Sequence, residues 1–202
     1  MLSLFDDYPI HQTANPIAVP ASSDKDVYER YWFNGYSNAG DMYLGIGAAL
    51  YPHLGIQDCG ISIVHDGVQH AFHASARATD EPTDMRVGPF NVEVVEPMRS
   101  MRVTLDDNET DVACDLLFVG RTANIEEPRH TLWLGLRPSM DTTRFMQLGT
   151  WHGWIRYDGE EMTIDRSEVR GTKDRSGGQR GVGGPDPRGA PGHGGGGGLL
   201  FL

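Results

Sequence analysis

Positive charge is scarce in this sequence. Only 17 Lys and Arg stand against 28 Asp and Glu, a formal net charge of -11 over 202 residues. The segment from Gly171 onward carries four of those cations against two anions, so the residues before it hold -13 of the total. A body that acidic repels a phosphate backbone, and no Lys/Arg stripe offsets it, which argues against nucleic acid and anionic membrane surfaces as partners. Long apolar runs are also missing. None approaches the roughly 20 residues a membrane-spanning helix needs, and the start, MLSLFDDYPIHQ, lacks the positive region and apolar core of a secretory signal. Cysteine is nearly absent: Cys59 and Cys114 both sit in apolar, strand-like patterns, which predicts two reduced core thiols in a cytoplasmic protein. Helical periodicity is almost nowhere to be found. No P-loop, HExxH, CxxC or GxSxG occurs, so the common phosphate, zinc and serine-hydrolase signatures are excluded. The GxGxxG within Gly192–Gly197 follows no strand and opens no helix.

Strand signals fill the space these absences leave. Residues 1–26 read as an extended arm punctuated by Pro9, Pro16 and Pro20. A β domain is expected over 27–170. Its first strand starts at Tyr28, with Asn34-Gly35 and Asn38-Ala39-Gly40 competing for the turn that ends it. Asp41–Tyr51 alternates, and Gly45 and Gly47 on one face predict curvature or close approach by another group. Cys59–His65 and Val68–Arg77 flank Asp66-Gly67, a two-residue hairpin signal that sets Ile63 opposite His70 and Ile61 opposite Phe72. Further strands are predicted at Phe90–Val95, Arg99–Leu105, Asp111–Gly120, Thr150–Tyr157 and Glu160–Ile164, the last two joined by Asp158-Gly159. Pro138–Gln147 fits no pattern cleanly. Many short strands with Gly- and Asp-rich turns predict an all-β fold, an antiparallel lipocalin-like barrel or a sandwich. From Gly171 to Leu202 the chain holds 13 of its 26 glycines; that composition predicts a disordered Gly/Pro-rich tail, truncated or frameshifted.

The chemistry-bearing residues are few. His65, His70 and His73 invite a metal reading, but His65 and His70 are diagonal neighbours about 7–8 Å apart and His73 points to the other face. The expectation is therefore no metal and no cofactor. His70 in a cavity lining suits a proton donor, and a partly buried structural His is the competing reading. Asp115 lies mid-strand in an apolar segment, where a cavity would raise its pKa and make it an acid; a solvated sheet face would leave it an ordinary carboxylate. Glu93 carries the same alternatives. Trp32, Tyr43, Trp151 and Trp154, with His65 and Glu93, are the candidate ligand contacts, since rings lining a cavity suit an apolar ligand and otherwise fill a core.

The blocks DDYPIHQT, RYWFNGYSNAGDMYLGIGAALYP, VHDGVQHAFHASAR, RVGPFNVEVVEPMRSMRV, NIEEPRH and FMQLGTWHGWI occur in this order. Together they resemble an uncharacterised bacterial family distantly related to the carotenoid hydratase (hydroxyneurosporene synthase) and AttH-like superfamily. The resemblance spans about residues 6–176 and implies the first of two lipocalin-like β domains. Some members of that superfamily hydrate or cyclise terpenoids, and relatives catalyse Diels–Alder-type cyclisations without cofactors, but their catalytic residues match no positions here. It implies binding of a terpenoid- or steroid-like molecule in a β cavity, with cofactor-free hydration or cyclisation as the chemistry. The competing readings are a non-catalytic carrier, or an inactive structural half that supports a second β domain.

Overall fold

A computed structural model describes residues 1–10 and 14–181. Twelve strands join one antiparallel sheet, with no α-helix among the described residues. The first half of the chain supplies β1 (Val27–Ser37), β2 (Met42–Tyr51), β3 (Ile56–His65), β4 (Val68–Arg77), β5 (Phe90–Glu96) and β6 (Ser100–Leu105). The second half supplies β7 (Ala113–Gly120), β8 (Ile125–Glu126), β9 (His130–Leu134), β10 (Arg137–Tyr157), β11 (Glu160–Ile164) and β12 (Val169–Arg180). Their order is β4-β3-β2-β1-β12-β10-β7-β6-β5, with β8, β9 and β11 attached to β10. This is the all-β, lipocalin-like class expected, in the form of a curled half-barrel whose two end strands do not pair.

Local chemistry explains the hairpins. Asp66 (φ 49°) and Gly67 (φ 78°) are both left-handed, as are Asp158 (φ 52°) and Gly159 (φ 72°). Two-residue turns of this hand match the twist of the strands they join. The β3–β4 register sets Ile63 opposite His70 and Ile61 opposite Phe72, as the turn dictates. The competing turn signals after Tyr28 resolve in favour of Asn38–Gly40: β1 runs straight through Asn34-Gly35. Gly35 is small for a different reason, because the Trp151 ring lies against it.

Two elements depart from expectation. β10 is one continuous strand of 21 residues. Its first part pairs with β12 over Met140–Thr150, and its second with β7 over Gly149–Arg156. It therefore changes partner midway and carries the sheet around the bend. The second departure corrects the boundary at Gly171. β12 extends to Arg180 and lies between β1 and β10, hydrogen-bonded along both edges. Three consecutive charges followed by small residues in TKDRSGG suggest solvated coil, yet the pairing of two flanking strands makes this segment central. The remaining glycine-rich stretch, expected to be a disordered tail, lies outside the described residues.

The core face of the sheet is packed. Phe33, Phe118 and Trp151 form a ring cluster with centroids 5.3–6.0 Å apart. Leu44, Ile61, Ile63, Met101, Val103 and Leu116 surround it, all essentially inaccessible to solvent. Side chains, rather than an open ligand chamber, fill this region.

Candidate functional site

Because the sheet curls, the end of β10 meets the β3–β4 hairpin, four strands away in the order. His65 closes β3 on the core face, two positions beyond Ile63, and His70 enters β4 on the same face. Tyr157 ends β10 on the face that buries Trp151 and Ile155. The Tyr157 hydroxyl lies 2.7 Å from His65 Nδ1. The bond forms in both ring tautomers: the hydroxyl donates when Nδ1 is bare and accepts when Nδ1 carries hydrogen. The His70 ring packs on Tyr157 at 4.8 Å, and its Nε2 lies 3.9 Å from Asp158 Oδ2. All three residues are half-buried beside Phe72 and Met162. Burial, reinforced by the carboxylates of Asp66, Glu160 and Asp158, holds the Tyr157 hydroxyl above the ordinary phenol range. It thus stays protonated at neutral pH. Among the described residues, no group of three or more His, Cys, Asp or Glu is arranged to hold a metal ion.

The other sequence-derived candidates do not join this cluster. Asp115 corrects the expectation of a raised pKa. Its carboxylate takes a bidentate bond from Arg102, with Nε 2.7 Å from Oδ1 and Nη2 on Oδ2. That cation holds it below the usual carboxylate range. Asp115 is therefore ionised in a partly exposed pair on the outer face, unsuited to acid catalysis. Glu93 sits on the exposed side of β5, opposite Arg102. Trp154 is half-buried and pairs with Asp115 across β10 and β7, also on the outer face.

Trp32 and Tyr43 occupy the outer face of β1 and β2. The Trp32 ring covers Gly47 and reaches Gly45, so these glycines admit a ring from the chain itself. Tyr43 packs on Tyr36 at 5.3 Å. Trp151 is also corrected: it is fully buried, and its Nε1 donates to the Asn34 carbonyl at 2.8 Å. It anchors the core and leaves no surface for a ligand.

Sequence reasoning missed two groups. The alternation puts Tyr157 in a strand, but nothing in the pattern links it to His65, 92 positions away. The second group is ionic. Lys173 and Arg175, assigned to the tail, are buried on the core face of β12, with Asp7 2.6 Å from Lys173 Nζ and Glu29 2.7 Å from Arg175 Nη2. The opening DDYP block was the available signal, although its partners lie 166 residues downstream.

Solved structures share this fold at low identity. Kievitone hydratase from Nectria haematococca superposes with a TM-score of 0.59 at 16% identity, over 74% of this chain and 48% of that one. CghA in complex with Sch210972 gives 0.52 at 13% identity, over 84% and 52% of the two chains. CghA alone gives 0.51 at 14%, with the same coverage. The chain spans about half the length of these structures, and at such identities the likeness concerns the fold. No curated protein matches the chain significantly. Residues 2–199 match the profile of a family of unknown function, DUF8625, a range that takes in the glycine-rich segment. With nearly the whole sequence inside that match, the chain belongs to the family of unknown function DUF8625.

Proposed function

We propose that this protein handles an apolar small molecule at the rim where β3, β4 and β10 meet, with His65, His70 and Tyr157 as its polar contacts. One observation carries the reading: a protonated Tyr157 hydroxyl lies 2.7 Å from His65 at the edge of an apolar core. Such a pair can donate a hydrogen bond to a carbonyl or hydroxyl and pass a proton to or from the imidazole. Hydration and acid-initiated cyclisation both need a proton delivered to the substrate and another taken from water or a neighbouring carbon. The name kievitone hydratase and the CghA complex with Sch210972, borne by structures of this fold, support a small-molecule role. Terpenoid- or steroid-like compounds are the class proposed, with a second β domain closing the site, because the core face of this sheet is itself filled.

That packed interior also favours a second reading, in which the chain is a structural half that supports another domain and binds nothing itself. Native mass spectrometry of the wild-type chain and of Y157F and H65A with a terpenoid and sterol panel separates the two. The rim reading expects at least one apolar compound to be retained. Each substitution should weaken it by about 1 kcal/mol, the net worth of one hydrogen bond. Retention of no compound by the wild type, or equal retention by all three proteins, sinks it.

A further inference from the structure

At the opposite end of β10 from the rim, the core face turns ionic. The β12 register places Lys173 beside Phe33 and Gln147, and Arg175 beside Tyr31 and Phe145. Both cations are almost wholly inaccessible to solvent. Lys173 Nζ also sits 5.4 Å from the centre of the Phe145 ring, and the Arg175 guanidinium 5.4 Å from that of Tyr31. Glu29 answers Arg175 from the neighbouring strand, and its carboxylate fits because residue 177 is glycine.

The second anion comes from outside the sheet. The N-terminal arm turns through a short 3-10 segment, Leu4–Asp7, and inserts Asp7 over Lys173. Its Oδ2 accepts the Met98 backbone N–H, and its carbonyl accepts the Tyr31 hydroxyl at 2.6 Å. The next carbonyl, that of Tyr8, accepts from Arg175 Nη2 at 3.0 Å. Two consecutive arm residues thus supply four acceptors to donors on or beside the sheet. Apolar burial contributes less to this docking, since Leu4 and Phe5 remain mostly exposed. Burial pushes the Lys173 ammonium down, and the Asp7 carboxylate opposes that shift.

Two further observations point to a ligand. A cleft of about 310 Å³ shares Tyr8 and Tyr31 with this cluster and is otherwise walled by Pro9, Met85, Arg86, Val92 and the carboxylates of Asp84 and Glu93. Arg175 Nε and Gln147 Oε1 are also buried without a hydrogen-bond partner. Buried polar atoms of that kind call for an explanation, and an incompletely filled polar site supplies one.

We infer that Lys173, Arg175, Tyr31 and the Met98 amide form a binding site for the carboxylate of a small aromatic or aliphatic acid, and that Asp7 occupies it as an internal substitute. The charges are compatible with this exchange. Lys173 and Arg175 are balanced by Asp7 and Glu29, so a withdrawn arm leaves one buried cation unpaired, a state the interior strongly disfavours. A carboxylate entering from the cleft restores the balance, and its body lies along Tyr31, Met85 and Val92. The site is separate from the His65–Tyr157 rim, so either assignment can fail without the other.

The test is rescue of a variant that lacks the internal anion. Thermal unfolding of wild type, D7A and the double variant D7A/K173M is followed with increasing benzoate, and with benzamide as the uncharged counterpart. The inference expects D7A to unfold earlier than wild type and to regain several degrees saturably with benzoate but not with benzamide. D7A/K173M gains nothing, and wild type gains less than D7A because its site is filled. An equal response of D7A to benzoate and benzamide overturns it, as does an equal benzoate response in D7A/K173M. Should D7A fail to fold, D7N retains the side-chain shape without the charge, and the same comparison with D7N/K173M decides the matter.

Discussion

Trp151 shows how one residue's role depends on what surrounds it. As a large ring in an apolar alternation, it fitted a ligand-lining position as well as a core position. Phe33, Phe118, Gly35 and the Asn34 carbonyl decide the matter by enclosing it completely. W151F keeps most of the packing but leaves the Asn34 carbonyl without its donor, and is expected to cost about 1–3 kcal/mol. W151A opens a cavity and costs about 3–5 kcal/mol. Urea denaturation measures both, and stability unchanged in W151A would show that the ring is not the centre of the core. Asp115 illustrates the same dependence for charge. Its position in an apolar strand left its ionisation open, and Arg102 on the adjacent strand settles it. A guanidinium 13 residues away in sequence carries no local signature.

At the scale of elements, legibility followed local chemistry. The Asp66-Gly67 and Asp158-Gly159 hairpins could be read directly, since turn type and register follow from two residues and the alternation around them. β12 could not, because its stability is not local. Thr172, Lys173, Asp174, Arg175 and Ser176 offer no apolar face, and the strand exists because β1 and β10 pair with it over eleven residues each. Among the described residues, it is the hydrogen-bonded link between β1 and β10. A chain ending at Arg170 should therefore lose cooperative urea unfolding and show the fluorescence of exposed tryptophan. A sharp two-state transition in that truncation would contradict the central place of β12.

For the whole molecule, the curl of the sheet and the docking of the arm decide what is near what. They bring Tyr157 to His65, and seat the arm carboxylate on Lys173. They also bury titratable groups whose ionisation then costs stability. Burial pushes the Cys59 thiol up to about 11 and the Cys114 thiol up to about 12, and it raises the Tyr31 hydroxyl as well. Unfolded thiols lose their protons near 9.0 while the folded ones keep them. The unfolded state then binds fewer protons, so stability falls as pH rises through that window. The urea midpoint should decline steadily above about pH 9, and C114A should decline less steeply than wild type. A midpoint independent of pH over that range would show that the thiols are not buried.

Pattern alone determined the class of this protein: alternation with a period of two, paired Asp-Gly turns and scarce positive charge specify an acidic antiparallel β domain, because each is a property of neighbouring residues. Tertiary structure alone decided where the polar groups meet. The Tyr157–His65 bond and the Asp7–Lys173 pair join residues 92 and 166 positions apart. Such pairings arise only when a curled sheet and a docked arm bring distant chain together, and no local pattern encodes that arrangement.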